Sequence, residues 1–339
     1  MKISSRNEYS KLKTCVVGDA TGARFPELDE IFLYNHEITN WHETPHPRGR
    51  FPQHIIDEAN EDLEELCHTL RVFGTKVLRP KDLDHSHVVK THEWSTDGMY
   101  NYCPRDVLLV IDDLVIEAPM TYRARQMEAN AYWKIKQDAL ADDVRWIAAP
   151  RPRLLTHENY VEDNNVVLSD KEPIFDAANI LRHNNDILYL VSNTGNRLGA
   201  RWLQNILGKE YRVHVLDNLY AYAHIDSTIS VLRDGLVVLN ANRVNAYNCP
   251  RIFDGWEKIW VEDVVPQSFY QYPYASKWIA LNMLSLDSDT VIVDKNQREL
   301  IKQLEQHSMT VIPQELRHSR TLGGGFHCVT LDLLREHNK

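Results

Sequence analysis

A cysteine that closely follows a run of glycines is the first candidate for chemistry in this sequence. Cys328 stands three residues after Gly323–Gly325, and an apolar stretch begins directly behind it. Three consecutive glycines cost backbone entropy, which predicts that backbone freedom or a close backbone approach is required there. A free thiol with a pKa near 8.5 is ionised to only ~3% at pH 7, so a cysteine nucleophile needs a base or a cation beside it.

Histidine and aspartate residues just before predicted strands supply suitable partners. His224 can act as the acid or base, and Asp176 can accept a hydrogen bond from its second ring nitrogen and so fix the tautomer. Asp106 and Asp226 then remain as fixed anions. Ordinary interpretations compete: a buried cysteine is usually a core residue, His224 and Asp226 alternate as a structural pair on a strand would, and Asp176 suits a turn.

No pattern in the sequence predicts a metal site. The five cysteines are scattered, and none of their spacings is that of a zinc site or a disulfide framework. One histidine-rich stretch resembles a loose metal cluster but lacks helical or finger spacing, so we interpret it as a solvated loop. Its members are His36, Glu37, His42, Glu43 and His46.

A repeat of about sixty residues must position these side chains. Each unit contains two short apolar strands, a turn, an amphipathic helix and another apolar strand. Five units and a closing strand at 328–331 predict one closed, radially repeated α/β domain over 1–339, because closure removes exposed sheet edges. A doubly wound sheet is disfavoured, since its units carry one strand per helix. The predicted helices are 53–73, 122–140, 196–207, 252–257 and 296–306.

Composition narrows the class of protein. The 339 residues carry a formal net charge of -10, which argues against a nucleic-acid partner. No apolar run approaches the length of a membrane span, and the N-terminus has no signal-peptide core. Free thiols indicate a reducing compartment. We therefore expect a cytoplasmic protein that acts on small molecules, and a homodimer is left open.

At these residues the sequence resembles the amidinotransferase family, and within it most of all the enzymes that act on inosamine phosphates. Arginine:glycine amidinotransferases are similar but more distant. Each matching stretch is short, and together they follow the order of the family along nearly the whole chain. The stretches are 102–106, 116–120, 175–178, 224–228, 276–278 and 323–328.

The resemblance implies a fold and a set of roles. The fold is the five-bladed α/β propeller of the pentein superfamily, with ββαβ units and pseudo-five-fold symmetry, and no cofactor is used. Matched position by position, the implied roles are Cys328 as nucleophile, His224 as acid and base, Asp176 as its partner, Asp106 and Asp226 as guanidinium-binding carboxylates, Arg243 as a contact to the arginine carboxylate and Ser276 as a substrate contact.

The implied reaction is ping-pong. The amidino group of L-arginine passes through a thiouronium on Cys328 to an acceptor amine, ornithine is released, and the setting is natural-product biosynthesis. Inosamine phosphate, lysine and glycine are candidate acceptors, to be selected by loops at 221–223, 99–102 and 36–50. Two alternatives stay open: an arginine deiminase-like hydrolase of the same superfamily, and a non-catalytic arginine-binding protein.

Overall fold

The computed structural model describes residues 1–27, 46–155, 158 and 168–336. His36, Glu37, His42 and Glu43 of the predicted solvated loop lie outside this part of the chain. Within it, five sheets of three strands repeat one pattern, in which one pair of neighbours is antiparallel and the other is parallel. This pattern confirms the predicted units.

The strands of the five sheets are β1 (Leu12–Val17), β2 (Lys76–Leu78), β3 (Leu108–Ile111), β4 (Leu114–Glu117), β5 (Arg145–Ala148), β6 (Ile180–His183), β7 (Asp186–Leu190), β8 (Arg212–Leu216), β9 (Ile229–Arg233), β10 (Leu236–Asn240), β11 (Glu257–Val261), β12 (Leu284–Ser285), β13 (Thr290–Asp294), β14 (Thr310–Gln314) and β15 (Thr330–Arg335). The α-helices of the described residues are α1 (Gln53–Val72), α2 (Pro104–Val107), α3 (Trp133–Leu140), α4 (Arg197–Leu207), α5 (Arg298–Gln306) and α6 (Ser319–Leu322). Short two-stranded ladders pair Arg24–Phe25 with Gly49–Arg50 and Val89–Lys90 with Ser95–Thr96.

The first sheet joins the two ends of the chain. Strand β1 pairs antiparallel with β15 and parallel with β2. The chain therefore begins within a unit, and its last strand completes that unit. The predicted closing strand is confirmed, with Cys328 just before it rather than inside it.

Five apolar clusters lie between neighbouring units and show that the ring closes. Along β3, Leu108 and Val110 pack with residues of the first unit, whereas Leu109 and Ile111 pack with those of the third. Successive side chains of a strand point to opposite faces, so each sheet buries both faces. The remaining clusters join the third unit to the fourth, the fourth to the fifth and the fifth to the first.

The observed helices agree less well than the strands with those predicted from the sequence. Only Trp133–Leu140 of the predicted helix 122–140 is α-helical, and 3-10 turns at Arg123–Arg125 and Glu128–Tyr132 precede it. These turns place Arg125 and Glu128 inside the protein as a buried ion pair, and tertiary context of this kind routinely overrides helix propensity. Of the predicted helix 252–257 only a 3-10 turn at Arg251–Phe253 forms, because Gly255 takes a left-handed φ of 78° and β11 follows. None of the described helices is long and apolar enough to span a membrane.

A buried ionic network forms where the units meet. The Arg182 Nη2 donates to Glu8 and to Asp332, each at 2.7 Å, and Arg335 Nε donates to Asp332 at 2.7 Å. Arg105 of α2 also pairs with Asp332. Because buried charges are costly unless they are paired, this network fixes the N-terminal segment, the second and third units and β15 against one another.

Candidate active site

A cavity of about 400 Å³ opens beside the closing segment. Its walls include His224 and Asp226 of the fourth unit, Ser276 of the fifth, and Cys328. These side chains come from turns that precede strands or short helices of different units, so the closed ring is what brings them together. The cavity therefore lies where the sequence predicts the chemistry.

Cys328 is buried and surrounded by polar groups. Its thiol donates to Asp226 Oδ2 at 3.3 Å, and Asn282 Nδ2 donates to its Sγ at 3.2 Å. A hydrogen bond with Cys103, burial and the charge of Asp226 raise the pKa of the Cys328 thiol well above its usual value. The hydrogen bond with His224 lowers this pKa, and a positive charge beside the sulfur favours the thiolate in the same way.

His224 is held in a strained backbone conformation. Its φ is 55°, and it lies before β9, as predicted, so the competing interpretation of His224 and Asp226 as a pair on a strand is wrong. The ring donates from Nε2 to Asp176 Oδ2 at 3.1 Å, and its Nδ1 lies 3.7 Å from Asp106 Oδ1. Burial opposes ionisation, but the Asp106 charge and the hydrogen bond to Asp176 raise the pKa of His224 well above its usual value. The raised pKa favours the charged ring, whose Nδ1 lies among Asp106 and Cys328.

Asp176 is fixed by a residue that sequence reasoning missed. Its Oδ1 accepts two hydrogen bonds from Thr121, from the backbone N–H at 2.8 Å and from Oγ1 at 2.9 Å. The other oxygen faces His224 Nε2. Both carboxylate oxygens are therefore occupied, which fixes the orientation of the imidazole.

The two remaining carboxylates differ in how they are satisfied. Asp106 Oδ2 accepts from Arg125 Nη1 at 2.6 Å, but the buried Oδ1 has no hydrogen-bond partner among the described residues. Asp226 Oδ2 accepts from His327 Nδ1 at 2.9 Å. Burial disfavours the ionised carboxylate, but the hydrogen bond from His327 and the charge of that ring lower the pKa of Asp226 to about 2. A buried carboxylate oxygen that accepts no hydrogen bond is costly, and this one, 3.7 Å from His224 Nδ1, is able to accept from a cationic ligand.

Arg243 and Ser276 form one wall. Arg243 Nη1 donates to Ser227 Oγ and Thr228 Oγ1, each at 2.9 Å, and its Nη2 donates to Ser276 Oγ at 3.2 Å. The guanidinium also lies 3.5 Å from the centre of the Tyr220 ring. Ser227 and Ser276 line the cavity, and Arg243 supports them from behind. A direct contact of Arg243 with a substrate carboxylate stays a prediction.

The loops predicted to select the acceptor are only partly at the cavity. Ala223 lines it, but the segment 99–102 is buried in the core between the first and fifth units. The run from Pro273 to Ile279 lines the cavity in its place. From the loop 36–50, His46 contacts Tyr274 of this wall through a hydrogen bond of 3.1 Å to Nε2.

A metal ion is an alternative occupant by donor type. Ligand atoms of Asp106, His224 and Cys328 lie within 4.8 Å of one another, a set that suits a soft divalent metal. Binding would require a thiolate and a neutral imidazole, whereas the pKa values of both groups are raised. The raised pKa of the thiol favours the neutral S–H, and the raised pKa of the imidazole favours the charged ring. Both forms work against metal binding. That no metal binds here stays a prediction.

The glycine run serves two different purposes. Gly323 takes a left-handed φ of 79° and ends α6. A Cβ on Gly324 would lie 2.4 Å from Cys103 Sγ, and one on Gly325 would lie 2.6 Å from the Asn282 Cβ. Only the first glycine is explained by backbone freedom, as predicted; the other two allow neighbouring side chains to pack against the segment that carries Cys328.

Replacing Gly325 by valine is expected to damage catalysis far more than folding. The new side chain would displace Asn282 and with it the sulfur, and a misplacement of ~1 Å can cost ~100-fold in rate. Overpacking should reduce the free energy of unfolding by only ~1–3 kcal/mol. Turnover of the folded protein and a denaturant titration measure the two effects. Gly98→Val, which crowds His85, is the matched control; equal losses of activity in both variants would show that Gly325 serves packing alone.

The chain is similar to known proteins over nearly its whole length. No family model matches it. It is 44% identical over 337 residues to inosamine-phosphate amidinotransferase 1 of Streptomyces griseus, covering 98% of this chain and 97% of that protein. It is 34% identical over 357 residues to the L-arginine:L-lysine amidinotransferase of Pseudomonas savastanoi pv. phaseolicola, covering 98% of this chain and 94% of that protein.

Solved structures of amidinotransferases also superpose on this chain. The inosamine-phosphate amidinotransferase of Streptomyces griseus superposes with a TM-score of 0.94 at 43% identity, covering 99% of this chain and 97% of that chain. An amidinotransferase of the saxitoxin biosynthetic pathway from Microseira wollei superposes with a TM-score of 0.91 at 33% identity, covering 99% of this chain and 98% of that chain. The DDAH of Pseudomonas aeruginosa superposes with a TM-score of 0.59 at 14% identity, covering 95% of this chain and 99% of that chain. At that identity the likeness shows the fold alone.

Proposed function

Because this chain belongs to the amidinotransferase family, we propose that it transfers the amidino group of L-arginine through Cys328 to an acceptor amine in natural-product biosynthesis. The observation that carries this proposal is the buried Asp106 Oδ1, which accepts no hydrogen bond among the described residues and lies beside Cys328 and His224. A planar guanidinium suits that position, since its N–H groups can donate to Asp106 and Asp226 while its central carbon faces the sulfur.

The first half-reaction begins with a neutral thiol. Entry of the guanidinium offsets the charges of Asp106 and Asp226 and so lowers the pKa of the Cys328 thiol, which releases its proton to solvent. The thiolate attacks the central carbon and forms a C–S bond. The bond from that carbon to the side-chain nitrogen of arginine then breaks, His224 gives its Nδ1 proton to that nitrogen, and ornithine leaves.

The second half-reaction reverses these roles. His224 is now neutral, and it removes a proton from the acceptor amine as the amine attacks the amidino carbon on sulfur. The C–S bond breaks, and the Cys328 thiolate takes up a proton from solvent as the product leaves, which restores the neutral thiol. One residue thus serves as acid and then as base, which suits an imidazole that begins protonated and is held by Asp176. Water must be excluded meanwhile, because its attack would yield urea from the amidino group.

Incubation with L-arginine tests the proposal directly. We expect arginine alone to place one amidino group on the peptide that carries Cys328, detected by mass spectrometry, with ornithine released once per active site. Continuous ornithine release should then require an acceptor amine. Citrulline or urea accumulating without an acceptor would identify a hydrolase, and the absence of any adduct would leave an arginine-binding protein.

An acceptor screen defines the second substrate. Inosamine phosphate, lysine and glycine are the acceptors to compare, and we propose an amino-cyclitol phosphate first because the 44% identical relative is named for an inosamine phosphate. Ornithine release with each amine, at equal concentrations of arginine, gives the ranking. Faster release with glycine or lysine than with the inosamine phosphate would contradict this choice.

Replacing Arg243 by alanine is expected to weaken recognition of the donor's carboxylate. Hydrogen bonds to charged groups contribute about 1.5–3 kcal/mol, so the KM for arginine should rise ~10-fold or more. The measurement compares arginine with agmatine, which lacks the carboxylate. The variant should lose most of the preference for arginine, while the exposed Arg251→Ala keeps it. An unchanged preference would mean that Arg243 only supports Ser227 and Ser276.

A further inference from the structure

Asn282 is a buried side chain that contacts Cys328 at two points. Its Oδ1 accepts from the backbone N–H of Cys328 at 2.9 Å, and its Nδ2 lies 3.2 Å from the Cys328 Sγ. A backbone N–H can only donate, so the amide oxygen must face it and the NH₂ group must face the sulfur. The orientation of the amide therefore follows from the chemistry of its partners.

Four other groups face this sulfur, and two of them are anions. The anions are the carboxylates of Asp106 and Asp226, and the other two groups are the imidazole of His224 and the thiol of Cys103. The bond from the thiol to Asp226 is lost on ionisation, and the same carboxylate then repels the thiolate. A hydrogen bond from Asn282 instead strengthens when the sulfur becomes negative, because charge-assisted bonds are the stronger ones.

We propose that Asn282 is a further catalytic residue, whose amide N–H stabilises the Cys328 thiolate as it attacks arginine and again as the acceptor amine displaces it. The proposal rests on the proposed function of Cys328. In both steps the negative charge on sulfur is partly or fully developed, and the donor is already in place, so no reorganisation is needed.

The local fold holds this donor rigidly. Asn282 follows the 3-10 turn Lys277–Leu281, and its backbone N–H donates to Ile279 at 3.0 Å. Ser276 caps the other end of the same turn and lines the cavity. The absence of a side chain on Gly325 leaves room for Asn282 at the sulfur. One short element therefore carries both a predicted substrate contact and the donor to the nucleophile.

Two substitutions distinguish the hydrogen bond that Asn282 Nδ2 donates to the sulfur from the one that Asn282 Oδ1 accepts from the backbone N–H of Cys328. Asn282→Asp keeps an oxygen for the N–H of Cys328 but places an anionic oxygen at the sulfur. Asn282→Ala removes both contacts. Alkylation by iodoacetamide at pH 8, followed on the Cys328 peptide, reports the thiolate fraction, which changes tenfold for each unit of thiol pKa. We expect the rate to fall ~10-fold or more for Asn282→Asp and ~3-fold or more for Asn282→Ala, with the alkylation profile moved to higher pH in both.

Asn282→Asp adds charge repulsion at the sulfur whether or not the native amide donates, so Asn282→Ala decides between the two accounts. If Asn282 only holds the backbone N–H of Cys328, Asn282→Ala changes the alkylation rate by the same factor at every pH and leaves the profile in place; that result, or the wild-type rate in Asn282→Ala, would overturn the proposal. Asn185→Asp, an exposed change of the same charge, is the matched control and should match wild type. Alkylation needs neither arginine nor acceptor, so it reports on Asn282 even if no amidino adduct forms and the proposed function fails.

Discussion

Cys328→Ala is expected to abolish amidino transfer while arginine still binds. Without the sulfur no C–S bond can form, and removal of a nucleophile typically costs ~10⁴-fold or more in rate. The groups proposed to bind the guanidinium, Asp106 and Asp226, remain, and loss of the sulfur removes a neighbour of the Asp226 carboxylate without removing its His327 partner. Calorimetric titration with arginine should therefore give an affinity within a few-fold of wild type, alongside no detectable ornithine.

A second cysteine provides the control. Cys249 is partly exposed and packs at the edge of the cluster between the third and fourth units. Cys249→Ala should transfer amidino groups at the wild-type rate and carry the adduct on the Cys328 peptide. Turnover retained in Cys328→Ala would contradict covalent catalysis at this residue, and loss of arginine binding would contradict the placement of the donor site.

His224→Gln is expected to reduce turnover ~10³-fold or more, since general acid–base catalysis contributes ~10²–10⁴-fold and this residue acts in both half-reactions. Glutamine can still donate to Asp176 but cannot transfer a proton at the position of Nδ1. Single-turnover mixing with arginine should show that adduct formation on Cys328 slows along with steady-state turnover. A variant that forms the adduct at the wild-type rate would show that His224 is not the acid of the first step.

A histidine–aspartate pair away from the cavity serves as the control. His214 Nε2 lies 2.6 Å from Asp186 Oδ1, on the strands β8 and β7 and outside the cavity. His214→Gln should leave both half-reactions unchanged. Equal losses in the two variants would mean that the effect of His224→Gln arises from the fold rather than from proton transfer.

The periodic parts of this protein could be predicted from the sequence. Apolar strands and turns recur in every unit, and the continuous apolar run of β3 is buried in two clusters. The fourth unit shows the limit: only a 3-10 turn at Arg251–Phe253 forms where a helix is predicted, and Gly255 follows it with a left-handed φ. Local patterns specify strands well because their period is short, and they specify helices poorly where buried ion pairs such as Arg125 with Glu128 decide the conformation.

The sequence by itself determined which residue types could do chemistry, namely Cys328, His224 and the aspartates, and it determined the five-fold repeat. Tertiary structure decided what surrounds them. Asn282 meets the sulfur across 46 positions of the chain, and Thr121 meets Asp176 across 55. It also decided that Gly325 is needed for close packing and not for backbone freedom. The physical reason is that strand periodicity sets which face a side chain takes, whereas closure of the ring sets which turns from distant units meet.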